Sequence, residues 1–259
     1  MNVILPSVEI ITESNPLKRI ELCGRVCYKS EDKITETSAE KFVERLIASG
    51  HTSVLEHARL RITGDYRDAI TGRLMHDLRK EAFGVINRSW DNGEELRLNA
   101  RDALLSYPEM KAADFAEFEN ADDYMTVRFV CDRAIANELV RHRVFSFSQE
   151  STRYVNYKEG VTFVSPVPYG DNTVWFAAME AAEKSYVAMI EAGCAPQEAR
   201  NVLPLSTKTE LIMTGTFAQW KDMLKLRTSP GAHPQMRYLM QGLMADEKYP
   251  KEMWEAKHE

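Results

Sequence analysis

The sequence predicts a protein of mixed α and β structure, since extended segments and amphipathic helical segments both occur along its 259 residues. Val8 to Ile11 and the alternating segment Ala58 to Ile62 have the composition of β-strands. The segment from about Ser38 to Gly50 predicts a helix, because its apolar residues recur at helical spacing and Gly50 supplies a C-terminal stop. Strands and helices are therefore interspersed from the start of the chain.

Length and composition limit the class of protein. A chain of 259 residues can bury a substantial core as one large domain or two small ones. Its 44% hydrophobic and 28% charged content is typical of a soluble globular protein. A net charge of −6 argues against a nucleic-acid coat, so any anion site must be local. We expect no membrane segment and no signal peptide, since no apolar run is long enough for either.

The four cysteines follow no disulfide pattern of secreted proteins, which favours a cytoplasmic location. They are Cys23, Cys27, Cys131 and Cys194. Cys23 and Cys27 lie one turn apart in a helix predicted from Leu17 to Tyr28, entered at Pro16. They could begin a metal site or pack in the core. No second pair at zinc spacing follows them, which favours packing.

The second half of the chain continues the mixed pattern. Thr126 to Val130 predicts a strand, and Asp132 is the expected N-cap of a helix over Ala134 to Val140. A long helix capped by Asn172 or Thr173 and ended by Gly193 carries an apolar stripe, which is typical of core or of a subunit interface. Further predicted elements are an extended segment at Val161 to Val164, a strand at Glu210 to Thr214, a helix capped by Thr216 and a last helix from Pro234 to about Asp246.

The segment from about 65 to 123 is the least regular part of the chain. It has a helical pattern at Ala69 to Lys80, a turn at Asp91-Asn92-Gly93, a second helical pattern at Glu94 to Leu105 and an acidic run through Asp123. No residue pattern within it indicates a chemical function.

The densest cluster of polar and cationic side chains runs from Arg141 to Tyr154. It contains Arg141, His142, Arg143 and Arg153, interleaved with serine and threonine hydroxyls. Guanidinium groups and hydroxyls that follow a helix end can hold a phosphate. For a single arginine the alternative is a cation that complements the negative end of the helix dipole.

A second polar segment, His51 to His57, links the helix ending near Gly50 to the strand beginning at Ala58. Its two histidines and Glu56 could suggest a metal. The fixed spacing of a metalloprotease helix is absent, however, so His51 is more readily interpreted as a capping or packing residue.

The order Arg141-His142-Arg143, then seven residues, then Ser151 resembles the signature of the flavin-dependent thymidylate synthases. Three other blocks also resemble blocks of that family: His51-Thr52-Ser53, the segment Ala199 to Pro204, and Leu224-Lys225-Leu226-Arg227. The resemblance implies an α+β fold, in which helices flank a twisted, largely antiparallel sheet. It also implies a single domain, with the segment at about 65–123 as an atypical insertion.

The resemblance implies a methyltransferase that converts dUMP to dTMP without a cysteine nucleophile. FAD would be the cofactor, with NADPH and methylenetetrahydrofolate as co-substrates, and the enzyme would be a homotetramer with active sites at subunit interfaces. Flavin contacts are implied for His51, Ser53, Arg141, His142, Arg143, Gln149, Thr216, Phe217, Ala218 and Asp222. Substrate contacts are implied for Glu138, Arg141, Gln149, Glu150, Ser151, Thr152, Arg153, Arg200 and Arg227. Arg227, Ser151 and His51 are the expected catalytic residues, with Arg227 polarising the uracil.

The chain departs from the family pattern at a few of these positions. Glu138 stands where members often carry glutamine, and Gln149 stands where they often carry glutamate. Thr216 and Asp222 replace an asparagine of some members. Two other functions use the same residues: a non-catalytic nucleotide or RNA-binding module, and a metal hydrolase built on His51, His57 and His142.

Overall fold

The computed structural model describes residues 1–63, 89–91, 95–106, 108–116, 118–166 and 172–251. The chain divides into two compact units. Unit one comprises Met1–Ile11, Val26–Lys29 and Val127–Glu259, and unit two comprises Thr12–Arg25 and Ser30–Thr126. The predicted helix over Ala69 to Lys80 and the Asn92-Gly93 part of the predicted turn lie outside the described residues.

Strands and helices occur together in both units, as the sequence predicts. The strands are β1 (Asn2–Ile4), β2 (Ser7–Ile11), β3 (Arg59–Thr63), β4 (Ser89–Asp91), β5 (Glu95–Asn99), β6 (Glu119–Asn120), β7 (Tyr124–Asp132), β8 (Ser146–Gln149), β9 (Thr162–Val164) and β10 (Lys208–Thr216). The α-helices are α1 (Pro16–Val26), α2 (Ser38–Ala48), α3 (Ala100–Ser106), α4 (Ala112–Phe115), α5 (Arg133–Leu139), α6 (Thr173–Glu191), α7 (Pro196–Ala199), α8 (Phe217–Arg227) and α9 (Pro234–Ala245). The predicted α+β class is confirmed.

The sheet of unit one has the strand order β2-β7-β10-β8. Its β8 and β10 strands are antiparallel, and Leu211 lies opposite Gln149 in their register. Strand β10 is buried from Thr209 to Gly215, because every residue of that stretch is covered on both faces of the sheet. A separate parallel pair joins β1 to β9. The four-stranded sheet includes β8, which lies within the Arg141–Tyr154 cluster, and β10, which leads into α8.

Helix α6 packs on the β9 segment through the apolar stripe that the sequence predicts. Met179 and Tyr186 are buried with Val161 and Phe163, and Trp175, Met189 and Ile190 pack around them. The indole N–H of Trp175 donates a hydrogen bond to the Ser206 hydroxyl at 3.1 Å. The stripe therefore belongs to the core of unit one. None of the helices that the structure describes is long and apolar enough to cross a membrane.

Unit two contains an antiparallel sheet with the order β4-β5-β3-β6. The core of this unit includes Ile20, Phe42, Leu55, Leu60 and Phe115. Gly24 in α1 permits a close approach, since an added Cβ would lie 2.8 Å from the Phe42 ring.

One secondary-structure prediction in unit two is wrong. The segment Glu94 to Leu105 was expected to be helical throughout, but β5 occupies Glu95–Asn99 and only α3, Ala100–Ser106, is helical. The helix begins after Asn99 because the Asn99 side-chain oxygen accepts a hydrogen bond from the Asp102 amide at 2.9 Å. Residues before this cap pair with β3 and β4 instead, and such tertiary pairing overrides a short local pattern.

Candidate functional site

Helix α5 delivers the Arg141–Arg143 segment to its position in unit one. Asp132 ends β7 and caps the helix, since its carboxylate accepts a hydrogen bond from the Ile135 amide at 2.8 Å. The helix ends at Leu139, and the backbone N–H of His142 donates to the Leu139 carbonyl at 3.0 Å. The arginines on either side of His142 are exposed. The predicted cap and the predicted place of the basic segment are both confirmed.

Arg227 joins three predicted site residues into one contact group. It is the last residue of α8. Its Nη1 donates to Glu138 Oε2 at 2.8 Å, and its Nη2 lies 3.3 Å from the Glu138 carbonyl oxygen. Its Nε donates to His142 Nε2 at 2.9 Å. The guanidinium is therefore fixed in direction and only partly exposed.

The contact with Arg227 fixes the protonation state of His142. Because Nε2 accepts a hydrogen bond, the imidazole is neutral and carries its proton on Nδ1. Burial and the neighbouring Arg227 charge lower the pKa of His142, and the carboxylate of Glu138 only partly opposes them. At neutral pH this site therefore presents one charged guanidinium and one uncharged ring.

Aromatic packing holds the His142 ring in place. Phe145 meets it edge to face, with centroids 6.3 Å apart, and Phe145 also packs on Trp220 at 4.8 Å. Gly215 in β10 allows the Phe145 ring to approach the backbone, since an added Cβ there would lie 2.4 Å from the ring. These contacts tie the Arg141–Arg143 segment to β10 and α8.

The segment after β8 forms a compact turn around Ser151. The backbone amides of Tyr154 and Val155 donate to the Ser151 carbonyl, and the Arg153 amide donates to the Ser151 hydroxyl at 3.2 Å. Thr152 is buried, whereas Arg153 is exposed and donates from Nε to Gln197 Oε1 at 3.3 Å. The three predicted clamp residues therefore lie on one ordered turn.

Arg200 lies three residues beyond Gln197, in the 3₁₀ turn that follows α7. It is exposed, and its side chain has no hydrogen-bond or ion-pair partner among the residues that the structure describes. The same holds, within the described part of the chain, for Arg141 and Arg143. Three guanidinium groups of unit one are therefore available for an anionic ligand.

The start of α8 carries the other residues implied as flavin contacts in this unit. Thr216 caps the helix: its hydroxyl accepts from the Gln219 amide, and the Gln219 side chain accepts from the Thr216 amide at 2.7 Å. Phe217 is half-buried, and Ala218 and Asp222 are exposed one turn apart. The predicted cap is confirmed, while its ligand role stays a prediction.

Gln149 and Glu150 both make side-chain hydrogen bonds within unit one. The Gln149 amide nitrogen lies 3.3 Å from the Thr209 hydroxyl of β10. Glu150 is 1% exposed; its Oε2 accepts from Lys208 Nζ at 2.9 Å and its Oε1 accepts from the Tyr157 hydroxyl at 2.7 Å. Both carboxylate oxygens of Glu150 therefore already have protein partners.

A group of charged residues that sequence reasoning missed surrounds Glu150. Glu210 accepts hydrogen bonds from Lys29, Arg128 and Lys208. Burial would raise the pKa of Glu210, but the hydrogen bonds from Lys208 and Lys29 outweigh it and lower the pKa to about 2. The only available signal was the spacing of Lys208 and Glu210, which places both on one face of a strand.

His51 and Ser53 belong to unit two, and both are exposed there. His51 precedes the 3₁₀ helix Thr52–His57, and His57 is fully buried. Glu56 pairs with Arg101, so it is committed to an ion pair. Among the described residues no group of three or more His, Cys, Asp or Glu side chains could hold a metal ion.

Cys131, the cysteine nearest the signature along the chain, is poorly suited to act as a nucleophile. Its side chain is fully buried in β7. Burial raises the pKa of its thiol, and the neighbouring Asp132 charge raises it further. Only the thiolate is nucleophilic, so Cys131 is unreactive at neutral pH.

Comparison with known proteins places this site in a family. The family model described as "Thymidylate synthase complementing protein" (Thy1) matches residues 9–68 and 86–250. A probable flavin-dependent thymidylate synthase of Paramecium bursaria Chlorella virus 1 is 33% identical over 132 residues, which are 44% of this chain and 60% of that protein. A flavin-dependent thymidylate synthase of Mycobacterium sp. (strain JLS) is 26% identical over 244 residues, covering 85% of this chain and 71% of that protein.

Among solved structures, the UMP/dUMP methylase PolB from Streptomyces cacaoi, bound with 5-Br dUMP, aligns with 93% of this chain and 90% of its own. The TM-score is 0.46 and the sequence identity is 20%. The family model covers well over half of the sequence and includes every predicted site residue. The chain belongs to the Thy1 family of thymidylate synthase complementing proteins.

Proposed function

We propose that this chain is a flavin-dependent thymidylate synthase, which methylates C5 of dUMP to form dTMP. One observation carries the proposal: Arg227, the predicted polarising residue, contacts His142 of the signature and Glu138, in a chain of the Thy1 family. The names of the curated relatives support the same activity.

Arg227 is the residue that acts on the substrate ring. A cation fixed beside the uracil stabilises negative charge on O2 and N3 of the activated ring, in which C5 is a better nucleophile toward the one-carbon unit. The Glu138 and His142 contacts orient the guanidinium before the substrate binds, so no reorganisation is needed during the reaction. A neutral His142 can accept from Arg227 without repelling it.

The residues available for FAD suit its two negatively charged phosphates. Arg141 and Arg143 are exposed guanidinium groups on either side of His142. Phe145, which packs on the histidine, approaches the backbone of Gly215 just before α8 begins. We assign the flavin to these residues together with Gln149, Thr216, Phe217, Ala218 and Asp222. His51 and Ser53 stay flavin contacts that the resemblance implies. Bound FAD, reduced by NADPH, supplies the hydride that completes the methyl group derived from methylenetetrahydrofolate.

The dUMP phosphate belongs on the turn at Ser151. The Ser151 and Thr152 hydroxyls and the Arg153 guanidinium supply donors, and Arg200 lies on the segment that Arg153 contacts through Gln197. Arg141, Glu138 and Gln149 complete the substrate contacts in this proposal. Ser151 and His51 retain the catalytic roles that the resemblance implies, the first toward the nucleotide and the second toward the flavin.

The proposal dispenses with a cysteine nucleophile. Activation of the uracil by a thiol would need a thiolate in a cationic pocket. The buried Cys131, whose pKa is raised, does not meet that requirement. Polarisation by Arg227 takes over the activation.

We further propose a cytoplasmic homotetramer, in which residues of several subunits complete each active site. The proposed contacts are spread from His51 to Arg227, and exposed side chains such as Arg141 and Arg200 are free to meet a neighbouring subunit. The chain would form one family domain with an insertion at about 65–123; the stretch 69–85, which the family model leaves unmatched, falls within that segment. Light scattering of the purified protein tests the tetramer.

The experiment that tests the activity has two independent measurements. Purified protein incubated with FAD and desalted should retain the absorbance bands of bound flavin. With NADPH and methylenetetrahydrofolate it should convert dUMP to dTMP, measured by chromatography. Protein that stays colourless after reconstitution, or that holds flavin yet forms no dTMP, contradicts the proposal.

A further inference from the structure

Glu150 is buried at the start of the Ser151 turn and is held there by protein contacts. It directly precedes Ser151, its side chain is 1% exposed, and its two oxygens accept from Lys208 and Tyr157 at 2.9 and 2.7 Å. Its backbone amide also donates to the Glu210 carbonyl at 2.8 Å. The residue that begins the turn is thus fixed through both its backbone and its side chain.

Lys208, one partner of Glu150, lies in β10, and it belongs to a wider group of ion pairs that includes Arg128 of β7. Lys208 binds both Glu150 and Glu210. Burial of the Lys208 ammonium would lower its pKa, but the two carboxylates outweigh burial and the pKa is raised. Arg128 of β7 binds the other oxygen of Glu210, with Nε at 2.7 Å from Oε2. We call Glu150, its partner Tyr157, and Lys208, Glu210, Arg128 and Lys29 the Glu150 network.

The segment Val26–Lys29 supplies a second anchor for the same turn. The Ser151 amide donates to the Cys27 carbonyl at 3.1 Å, and the Tyr28 and Tyr154 rings lie 5.4 Å apart. Lys29 adopts the left-handed conformation, with φ of 50°, that few residues other than glycine adopt, and its ammonium lies 3.9 Å from Glu150 Oε2. The network therefore maintains an unfavourable backbone geometry beside the turn.

We propose that Glu150 is a positioning residue, which acts through the Glu150 network to hold the Ser151, Thr152 and Arg153 donors in place for the nucleotide phosphate. The inference rests on the proposed function, because it takes the turn to be the phosphate site. Donors displaced by a fraction of an ångström bind a phosphate poorly, since the strength of charge-assisted hydrogen bonds depends on their geometry.

Four substitutions at three residues perturb the network in different ways. Glu150→Gln keeps the shape and an acceptor for Tyr157 but removes the charge that binds Lys208. Lys208→Met removes the cation, while Lys208→Arg retains it. Tyr157→Phe removes one hydrogen bond and changes no charge. The matched controls are Glu180→Gln and Lys184→Met, which break an exposed ion pair of α6 at 3.1 Å.

The measurement is the Kd of dUMP on FAD-loaded protein by calorimetry, together with KM and kcat. We expect Kd and KM for dUMP to rise about tenfold in Glu150→Gln and Lys208→Met, with kcat at saturating dUMP reduced less than threefold. Lys208→Arg and both control variants should stay within about twofold of wild type, and Tyr157→Phe should rise about threefold. The FAD content should be unchanged throughout.

Each outcome decides between the two proposals. Wild-type protein that does not bind dUMP overturns the proposed function. Wild-type protein that binds dUMP while the network variants bind it equally well overturns only the positioning role of Glu150. A fall in kcat and in FAD content, without a selective rise in KM, assigns the network to general stability and also overturns that role; the milder Tyr157→Phe variant decides if Glu150→Gln does not fold.

Discussion

Replacing Arg227 by alanine should abolish most turnover while leaving the protein folded and yellow. The side chain donates to Glu138 Oε2 at 2.8 Å and to His142 Nε2 at 2.9 Å, and its ion pair with Glu138 is 17% and 37% exposed on the two sides. A pair this open to solvent contributes roughly 0.2–1 kcal/mol to the free energy of unfolding. Removal of a fixed donor from a developing anion, by contrast, costs about 10²–10³ in kcat.

The difference between these two magnitudes makes the test sharp. The assay measures dTMP formation at saturating dUMP, with FAD content by absorbance and the unfolding temperature by circular dichroism. Lys225→Ala is the matched control, because Lys225 is an exposed cation in the same last turn of α8. An Arg227→Ala protein that retains FAD and forms dTMP at more than a tenth of the wild-type rate would refute the polarising role.

Three other predictions concern the surroundings of the site. The pKa of His142 is lowered below 6.5, and the protonated ring cannot accept a hydrogen bond from a guanidinium. The value of kcat/KM should therefore stay constant as pH falls through 6.5 and decline only as pH passes the lowered pKa. An acid limb of the pH profile centred above 6.5 contradicts this. Gly215→Ala should lower the free energy of unfolding by about 1–3 kcal/mol and reduce FAD content, since the new Cβ would meet the Phe145 ring. The control Gly231→Ala, with open space around it, should change neither quantity. Equal unfolding temperatures of the two variants would argue against the close packing at Gly215. Cys131→Ala should retain kcat within about threefold of wild type, as a buried protonated thiol takes no part, and loss of turnover with a normal fold would reinstate a cysteine mechanism.

Local chemistry was sufficient to predict the elements whose ends carry their own signals. Asp132 and Thr216 both cap helices where the sequence indicates, because a carboxylate or hydroxyl at the first position satisfies free backbone amides. The segment Glu94 to Leu105 was misassigned because its state depends on β3, a partner distant in sequence. Propensity contains no information about such pairing.

The candidate site was likewise predicted only in part. The grouping of Arg227 with His142 followed from a resemblance in motif, and their spatial contact confirms that the two segments meet. The buried contacts of Glu150 could not be predicted from the sequence, in which the resemblance implies a substrate contact for this residue. Only folding brings Lys208, Tyr157 and Lys29 around it, from positions up to 121 residues away along the chain.

The measurement that tests the central claim most directly is a single-turnover reaction of purified, FAD-loaded protein with excess dUMP and methylenetetrahydrofolate and one equivalent of NADPH per bound FAD. The product is quantified by chromatography and mass spectrometry. The account predicts one dTMP per active site, with oxidised flavin left at the end. Unchanged dUMP in the presence of fully reduced, bound flavin would contradict it.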